Sequence, residues 1–335
     1  MKAIILVAGA GTKLRPLTYT QPKALIPIAG KTILSVIVDQ LLDAGVTEFI
    51  FVIGYLGDKI QDYISKTYPS LHATFVTQKE RHGTGHALWL TKASVGTAQE
   101  VIIVLGDTIC DHDLKWVLNS PQSQIGVKKV DDPRDFGVAE LNDKDQVIRV
   151  VEKPLIPKSN MAMVGIYFIK EVATLFESLD EQLSQQRTDH EGEYQLTSVL
   201  QQMINKGVFF NAFRVANWFD CGKKENLLTT NAILLKELEE AGSNQHFIEQ
   251  YQNSVVIPPV SIAEGCTITN SIIGPNATIG EYAIIADSII KDSIIGSYTK
   301  LEEVVLHSSI IGNDAFVHGV TQSLNIGDNT EIDLG

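Results

Sequence analysis

The residues best suited to chemistry lie in one glycine-rich, basic segment near the N terminus, GAGTKLRPLTYTQPKAL at Gly9–Leu25. The segment follows an apolar run, and glycines at a strand-to-loop turn let backbone N–H groups approach a phosphate without an intervening side chain. Lys13, Arg15 and Lys23 add positive charge. The spacing matches neither a Walker loop nor the GxGxxG dinucleotide fingerprint. It predicts a phosphate-binding loop of another kind, with an ordinary structural turn as the alternative.

A carboxylate follows a second apolar run. Val101–Leu105 has the composition of a buried strand, and Gly106 and Asp107 come directly after it. Open α/β sheets bind ligands beyond the carboxyl ends of their strands. Asp107 is therefore a candidate for the chemistry, although an isolated aspartate in such a position is about as often a turn residue or a helix cap.

The elements that would position these residues alternate between strands and helices. The pattern predicts a strand at Ala3–Val7, a helix near Ile33–Ala44 that ends at Gly45, and a strand at Glu48–Ile53. This is the βαβ rhythm of an α/β protein with a Rossmann-like, doubly wound sheet covered on both faces.

Three later apolar runs have a different character. Gln124–Val130, Val138–Leu141 and Val147–Val151 are short and are joined by polar turns. Such runs favour antiparallel or mixed pairing. We expect them to form a substrate-covering flap beside the main sheet.

The C-terminal part carries a six-residue repeat. A helical pattern at Leu227–Ala241 is followed by a Gly-Ser-Asn sequence, which predicts a helix stop and a linker. From Val260 onward, aliphatic residues recur six positions apart, which is typical of a left-handed parallel β-helix, with an irregular β-sandwich as the alternative. The repeating residues are Ile262, Ile268, Ile273, Ile279, Ile285, Ile295, Leu301, Ile311 and Val317. We predict a catalytic domain over residues 1–242 and a hexapeptide-repeat β-helix domain over residues 243–335.

Composition limits the partners. The chain has 335 residues, a formal net charge of −13 and a pI near 5.1, which argues against nucleic acid and membrane surfaces as partners. Residues 251–335 carry ten acidic residues and two lysines, so much of the negative charge lies away from the phosphate-binding candidates. Three cysteines without paired spacing predict neither a disulfide framework nor a zinc site and fit a cytoplasmic protein. The first apolar run is too short for a signal peptide or a membrane span.

The segment at Gly9–Leu25 resembles the signature GxGTRLxPLTxxxPK of the sugar-1-phosphate nucleotidyltransferase family. The resemblance continues in order along nearly the whole chain. Its further motifs are TQKERHGTGHA at Thr77–Ala87, LGD at Leu105–Asp107, DFGVAEL at Asp135–Leu141, EKP at Glu152–Pro154, SNMAMVGIYFI at Ser159–Ile169, GEYQLT at Gly192–Thr197 and WFDCGK at Trp218–Lys223. The chain is most similar to the long type of glucose-1-phosphate thymidylyltransferase, which ends in a β-helix.

This resemblance implies an enzyme that joins a nucleoside triphosphate, dTTP or UTP, to a sugar-1-phosphate and releases pyrophosphate, with glucose-1-phosphate as the expected sugar. It implies Mg²⁺ as the cofactor, held by Asp107 and Asp220, because two hard carboxylates suit an ion that keeps several of its waters. No protein nucleophile is needed, since an oxygen of the sugar phosphate can attack the α-phosphorus in line.

The resemblance also implies roles for other residues. The catalytic group is Lys13, Arg15, Lys23 and Lys153. The nucleotide-binding group is Leu6, Ala8, Gly9, Gly11, Thr12, Gln78, Gly83 and Thr84. The group that binds the sugar phosphate is Gly137, Glu152, Lys153 and Gly165.

The motif around Gln78, Gly83 and Thr84 resembles a base-reading segment, where an amide side chain can both donate to and accept from a pyrimidine edge. The GTGHA sequence within it is more similar to uridylyltransferases than to thymidylyltransferases, so the nucleotide stays open. We expect His86 to be structural. Met163 stands where an asparagine often marks the N-acetylglucosamine type, which favours glucose.

One departure from the signature opens alternatives. Lys13 replaces an arginine and loses the planar fork that can grip two phosphate oxygens. The main alternative is therefore a catalytically weak or inactive regulatory or assembly subunit that binds nucleotide-sugar. A β-helix that transfers acetyl groups is disfavoured, because only about four coils fit in the tail, and His307 and His318 are expected to be surface residues. We also expect a homo-oligomer that assembles through Val260–Val320.

Overall fold

The computed structural model describes residues 1–189, 192–242, 251, 253–319, 321–322 and 324–333. By packing, the chain divides into two compact units: Met1–Gly9 with Ile37–Trp218, and Ala10–Val36 with Phe219–Gly335. The predicted boundary between residues 242 and 243 stays a prediction. Among the described residues, no helix is long and apolar enough to cross a membrane.

The bounds of the elements follow, for the described part of the chain. The helices are α1 (Ile33–Asp43), α2 (Gly57–Thr67), α3 (Thr84–Trp89), α4 (Lys92–Val95), α5 (Leu114–Leu118), α6 (Val172–Ser184), α7 (Leu196–Asn205) and α8 (Lys224–Glu240). The strands up to residue 220 are β1 (Lys2–Leu6), β2 (Pro27–Ile28), β3 (Lys31–Thr32), β4 (Glu48–Ile53), β5 (His72–Thr77), β6 (Val101–Leu105), β7 (Thr108–Cys110), β8 (Ser123–Lys129), β9 (Gly137–Leu141), β10 (Gln146–Glu152), β11 (Met161–Ile169), β12 (Phe210–Arg214) and β13 (Trp218–Asp220). The later strands are β14 (Val255–Val256), β15 (Val260–Ile262), β16 (Thr267–Thr269), β17 (Ile272–Ile273), β18 (Ala277–Ile279), β19 (Ile284–Ala286), β20 (Ile289–Lys291), β21 (Ile294–Ile295), β22 (Lys300–Glu302), β23 (Val305–His307), β24 (Ile310–Ile311), β25 (Phe316–His318), β26 (Thr321–Gln322), β27 (Asn325–Ile326) and β28 (Glu331–Asp333).

The first unit is built on a nine-stranded sheet in the order β5-β4-β1-β6-β11-β8-β12-β10-β9. Strands β5, β4, β1 and β6 are parallel. Ala3, Ile4 and Ile5 of β1 are fully buried, as expected for a β-branched run covered on both faces. Helices α3, α6 and α7 contribute to the same apolar core as the sheet. The predicted α/β fold is confirmed.

The predicted flap is wrong in one respect. Strands β8, β9 and β10 are antiparallel or mixed, as expected, but they belong to the main sheet and do not lie beside it. The reason is β11, which is nine residues long and pairs with β6, β8 and β9. Its register shifts between Met163 and Tyr167, around Gly165, and a local irregularity of this kind bends a strand.

In the second unit, β14–β28 form three five-stranded parallel sheets. Each turn of the chain adds one strand to each sheet, which is the arrangement of the predicted left-handed parallel β-helix. Buried aliphatic columns fill it, for example Ile262, Ile279, Ile295 and Ile311 in successive coils. The coils are shorter than three full hexapeptides, and the first side begins at Val255, earlier than the predicted start at Val260.

A fully buried asparagine of α8 links two parts of the second unit. The Asn231 Oδ1 accepts hydrogen bonds from the Ala29 N–H at 2.8 Å and from the Thr278 hydroxyl at 2.7 Å. Its Nδ2 donates to the Asn276 carbonyl at 3.1 Å. The side chain therefore joins the turn after β2 to the β-helix with satisfied polar groups, as burial requires.

Candidate active site

The loop after β1, residues 10–25, is called the signature loop below. It consists of short 3-10 turns at Thr12–Leu14, Leu17–Tyr19 and Lys23–Leu25. The Gly11 carbonyl accepts hydrogen bonds from the Leu14 N–H at 2.9 Å and from the buried Thr18 hydroxyl at 2.8 Å. Gly11 has a φ of 60°, and a Cβ there would lie 3.0 Å from side-chain atoms of Thr18 and Lys23. Only glycine fits this closed loop without strain.

The basic side chains of the signature loop differ in their surroundings. Lys13 is exposed and Lys23 is half-buried. The Arg15 guanidinium carbon lies 4.8 Å from the centre of the Tyr19 ring, which is a cation–π contact. Arg15 therefore has a partner within the loop. Thr12 is exposed at the start of the first turn.

Leu6 and Ala8 lie at the carboxyl end of β1, in the first unit. The Val7 N–H donates to the Val52 carbonyl at 2.9 Å, which continues the pairing with β4. Ala8 is buried, and a Cβ on Gly54 would lie 2.9 Å from it. Gly9 is exposed, with open space where a Cβ would be.

The carboxylate predicted at the end of β6 lies beside the end of β1. The Gly106 N–H donates to the Leu6 carbonyl at 3.0 Å, and a Cβ on Gly106 would lie only 2.3 Å from the Val7 side chain. This close approach requires glycine and brings Leu6 and Asp107 to the same edge of the sheet. Asp107 itself is half-buried.

The predicted sugar-phosphate residues Gly137 and Glu152 meet in the first unit. The Thr197 hydroxyl donates to the Glu152 Oε2 at 2.5 Å. A Cβ on Gly137 would lie 3.1 Å from that oxygen and 2.5 Å from the Met163 Cε. The absence of a side chain at Gly137 therefore leaves space beside the Glu152 carboxylate, which Thr197 orients.

Lys153 and Gly165 have unusual backbone conformations. Lys153 has a φ of 38°, its N–H donates to the Phe136 carbonyl at 3.0 Å, and its side chain is exposed. Gly165 has a φ of 85°, and a Cβ there would lie 2.8 Å from both Leu105 and Thr108. A non-glycine residue with positive φ is strained, and such strain clusters at functional sites.

Sequence reasoning missed the environment of Tyr167. This residue is buried, and burial raises the pKa of its phenol well above the usual value, with the carboxylates of Glu152 and Asp107 adding to the effect. The Tyr167 hydroxyl therefore stays neutral, and it interacts electrostatically with both candidate carboxylates. The GIYFI motif contains it, but nothing local in the sequence marks its neighbours.

The predicted base-reading residues form a compact cluster. Gln78 is only 5% exposed, and its Nε2 donates to the Gly83 carbonyl at 3.1 Å and to the His86 Nδ1 at 3.1 Å. Burial, followed by the charge of His82, lowers the pKa of His86, so that the neutral ring can accept this bond. Both amide hydrogens of Gln78 are thereby used, and its amide oxygen Oε1 is an acceptor.

Thr84 bonds to protein groups. Its hydroxyl accepts from the Leu196 N–H at 3.0 Å and donates to the Gln195 Oε1 at 3.2 Å. A Cβ on Gly83, whose φ is 93°, would lie 2.6 Å from the Tyr194 carbonyl. The GTGHA segment is therefore packed against the GEYQLT segment.

Asp220 lies at the end of β13, in the second unit, whereas Asp107 lies in the first. It is half-buried, and its carbonyl accepts from the Asn226 Nδ2 at 3.0 Å. A Cβ on Gly222 would lie 2.8 Å from the Asp220 Oδ1, so the following turn leaves room for this carboxylate.

The donor chemistry suits one kind of metal. In the part of the chain that the structure describes, no three His, Cys, Asp or Glu side chains form a metal-binding cluster. Burial raises the pKa of the Cys110 thiol to about 12, which disfavours a thiolate ligand. Asp107 and Asp220 offer hard oxygen donors, and Mg²⁺ is bound by one or two carboxylates plus substrate phosphates and water. Taken singly, each of these carboxylates has the donor chemistry of a Mg²⁺ ligand.

Comparisons with known proteins identify the family. The model of the nucleotidyl transferase family matches residues 2–237. The chain is 27% identical to a glucose-1-phosphate thymidylyltransferase of Streptomyces antibioticus over 100% of this chain and 99% of the relative. It is 32% identical to the bifunctional protein GlmU of Methanocaldococcus jannaschii over 98% of this chain and 80% of the relative.

A solved structure shares the fold. It is a Bacillus anthracis protein assigned as a glucose-1-phosphate thymidylyltransferase, in complex with sucrose, with a TM-score of 0.60 and 26% identity. The match covers 70% of this chain and 94% of that protein. The chain belongs to the nucleotidyl transferase family and is an enzyme of that class.

Proposed function

We propose that this enzyme joins a nucleoside triphosphate to a sugar-1-phosphate and releases pyrophosphate. The observation that carries the proposal is the signature loop, closed so tightly at Gly11 that a Cβ would meet Thr18 and Lys23 at 3.0 Å. A glycine-closed loop with Lys13, Arg15 and Lys23 supports a phosphate site, since backbone N–H groups and cations both favour an anion. The second substrate, a sugar-1-phosphate, is proposed from the names of relatives such as the glucose-1-phosphate thymidylyltransferase of Streptomyces antibioticus.

In this mechanism the protein positions two substrates and neutralises charge. Lys153 holds the sugar phosphate, and Glu152, oriented by Thr197 at 2.5 Å, accepts a hydrogen bond from a sugar hydroxyl. Lys13, Arg15 and Lys23 neutralise the triphosphate as pyrophosphate leaves. Mg²⁺, held by Asp107 and Asp220, would supply further neutralisation of the α-phosphate when bound.

For the base, we propose uracil or thymine. The amide N–H groups of Gln78 are used by Gly83 and His86, which leaves Oε1 as an acceptor. Uracil and thymine can present an N3–H donor to such an oxygen. Cytosine has an acceptor at N3, which is unfavourable opposite another acceptor.

For the sugar, we propose glucose-1-phosphate. Met163 is buried, and its Cε lies where a Cβ on Gly137 would come within 2.5 Å of it. A thioether makes no strong hydrogen bond to an N-acetyl amide, so this position offers an N-acetylated sugar no polar partner.

Calorimetry with five triphosphates, UTP, dTTP, CTP, ATP and GTP, tests the base assignment. We expect UTP and dTTP to bind at least about tenfold tighter than CTP, because uracil and thymine carry an N–H donor at N3 whereas cytosine carries an acceptor there. Gln78→Ala should reduce this preference, and Gln99→Ala, at an exposed glutamine, should keep it. Tighter productive use of ATP or GTP would reject the proposal.

A second candidate function rests on Lys13. If a lysine in place of the signature arginine prevents turnover, the chain acts as a regulatory or assembly subunit that binds nucleotide-sugar. Binding of UDP-glucose without any pyrophosphate release from UTP and glucose-1-phosphate would favour this candidate over the enzyme.

We further propose a homo-oligomer formed through the β-helix. One flat face carries a column of apolar side chains at Val255, Ile272, Ile289 and Val305 in successive coils, each between 36% and 55% exposed. A continuous apolar patch of this kind typically marks an interface. Ile289→Glu should shift the particle measured by light scattering to a smaller mass. A parent that is monomeric at micromolar concentration would contradict the proposal.

A further inference from the structure

The last coils of the β-helix are hydrogen-bonded to the signature loop within the second unit. The Thr20 hydroxyl donates to the Asp328 Oδ2 at 2.5 Å. The other oxygen of this carboxylate, Oδ1, accepts from the Asn313 N–H at 2.7 Å. Asp328 therefore joins the loop to the preceding coil with both of its oxygens.

A second chain of hydrogen bonds runs from the β-helix to the turn that contains Lys23. The Asn313 Nδ2 donates to the Gln21 Oε1 at 3.1 Å, and the Gln21 Nε2 donates to the Leu25 carbonyl at 2.6 Å. The bond from Gln21 to Leu25 closes a ring of chain around Lys23. Asn313 is fixed in turn, because its Oδ1 accepts from the Ser297 N–H at 2.8 Å.

Glycines of the β-helix make room for both contacts. A Cβ on Gly312 would lie 2.5 Å from the Asp328 Oδ1, and a Cβ on Gly296 would lie 2.7 Å from the Asn313 Oδ1. A Cβ on Gly327 would lie 3.2 Å from Pro16 of the loop. Side chains larger than hydrogen at these positions would displace the groups that bond to the loop.

Apolar side chains lie beside the polar contacts. Leu17 and Ile26 of the loop region line one narrow cleft with Ile310 and Ile311 of the β-helix. All four side chains are buried. Thr20, Asn313 and Asp328 are half-buried, so removal of one partner leaves the other less well satisfied than in the intact contact.

We propose that Asn313 and Asp328 are positioning residues that hold the signature loop for binding of the triphosphate. This inference rests on the proposed function for its kinetic consequence. Asp328 fixes Thr20, next to Tyr19, on which the Arg15 guanidinium rests at 4.8 Å. Asn313 fixes Gln21 and with it the turn of Lys23. Two cations proposed to contact phosphate thus depend on the β-helix, which acts as part of the active-site scaffold.

Hydrogen exchange of the ligand-free protein tests the coupling directly. In Asp328→Ala, amides of residues 10–25 should exchange at least about fivefold faster than in the parent, since the loop loses an anchoring hydrogen bond. Glu331→Ala removes an exposed carboxylate three positions along the same coil and should leave these rates unchanged. Unchanged rates in Asp328→Ala, with the melting temperature showing a folded protein, would overturn the proposal.

Asp328→Asn separates the hydrogen bonds from the charge. Its amide oxygen can accept from Asn313, and its NH₂ can donate to the Thr20 hydroxyl, so exchange near the parental rate is expected. This variant also decides the matter if Asp328→Ala fails to fold. If amides of residues 10–25 in Asp328→Asn exchanged at least about fivefold faster than in the parent, the hydrogen bonds of residue 328 would not be what holds the loop.

Kinetics then tests the role in positioning. In Asp328→Ala, the KM for the triphosphate should rise about fivefold while the KM for the sugar-1-phosphate stays unchanged, because the loop is proposed to bind only the former. An equal rise in both KM values would indicate a general structural defect and contradict the positioning role. A parent that binds no triphosphate would reject the proposed function, whereas the exchange rates would still decide whether the β-helix holds the loop.

Discussion

Asp107→Asn and Asp220→Asn should each lower turnover by roughly a hundredfold to a thousandfold while the protein stays folded. Each change removes one negative charge and one hard oxygen donor from the proposed Mg²⁺ ligands. Both side chains are half-buried at strand ends, and asparagine has nearly the same shape, so the fold should tolerate the change. Steady-state pyrophosphate release measures the effect.

The loss should be specific to these carboxylates. Asp143→Asn, at an exposed position in the turn between β9 and β10, removes the same charge and should retain parental turnover. A Mg²⁺ titration should show that the active-site variants require a higher concentration of the ion than the parent. Near-parental turnover in either Asp107→Asn or Asp220→Asn would refute the metal assignment.

Lys13→Arg should raise kcat/KM by roughly tenfold if a bidentate contact returns about 1.4 kcal/mol to the transition state. The exposed Lys13 offers a point charge where arginine would offer a planar fork. Arg15 does not provide the missing planar guanidinium in the ligand-free loop, because its guanidinium carbon lies 4.8 Å from the centre of the Tyr19 ring. Pyrophosphate release by parent and variant measures the change.

The outcomes of this substitution are distinct. An inert parent that stays inert in Lys13→Arg would support the non-catalytic subunit. An active parent that loses activity would mean that the loop is adapted to lysine. Unchanged efficiency in an active pair would contradict the idea that Lys13 limits catalysis, and Lys144→Arg, at an exposed turn position, controls for the added guanidinium.

Local patterns predicted the elements well where one pattern determines one element. The apolar runs at Glu48–Ile53 and Val101–Leu105 form strands with these same bounds, because a continuous β-branched run has few other ways to be buried. The six-residue repeat likewise predicted the β-helix. Such patterns could not predict that β8, β9 and β10 belong to the main sheet. Their place in the sheet depends on β11, which pairs with strands from distant parts of the chain.

The candidate site was predictable as a set of motifs and unpredictable as a set of contacts. The sequence predicts that Gly11 lets the backbone approach a phosphate, and the positive φ and close neighbours of Gly11 agree with a need for glycine. The bond between Thr197 and Glu152 and that between Thr20 and Asp328 join residues far apart in the chain. Neither has a local signature, because threonine and carboxylate side chains are common on any surface. Such contacts follow only from the folded chain.

The measurement that tests the central claim most directly is product formation from purified chain, UTP or dTTP, glucose-1-phosphate and Mg²⁺, with nucleotide-sugar identified by mass spectrometry and pyrophosphate quantified in parallel. We expect nucleotide-sugar and pyrophosphate in equal amounts, dependent on both substrates and on the metal, and nearly absent in Asp107→Asn. Binding of both substrates without any product, or pyrophosphate release that does not depend on the sugar phosphate, would contradict the proposed function.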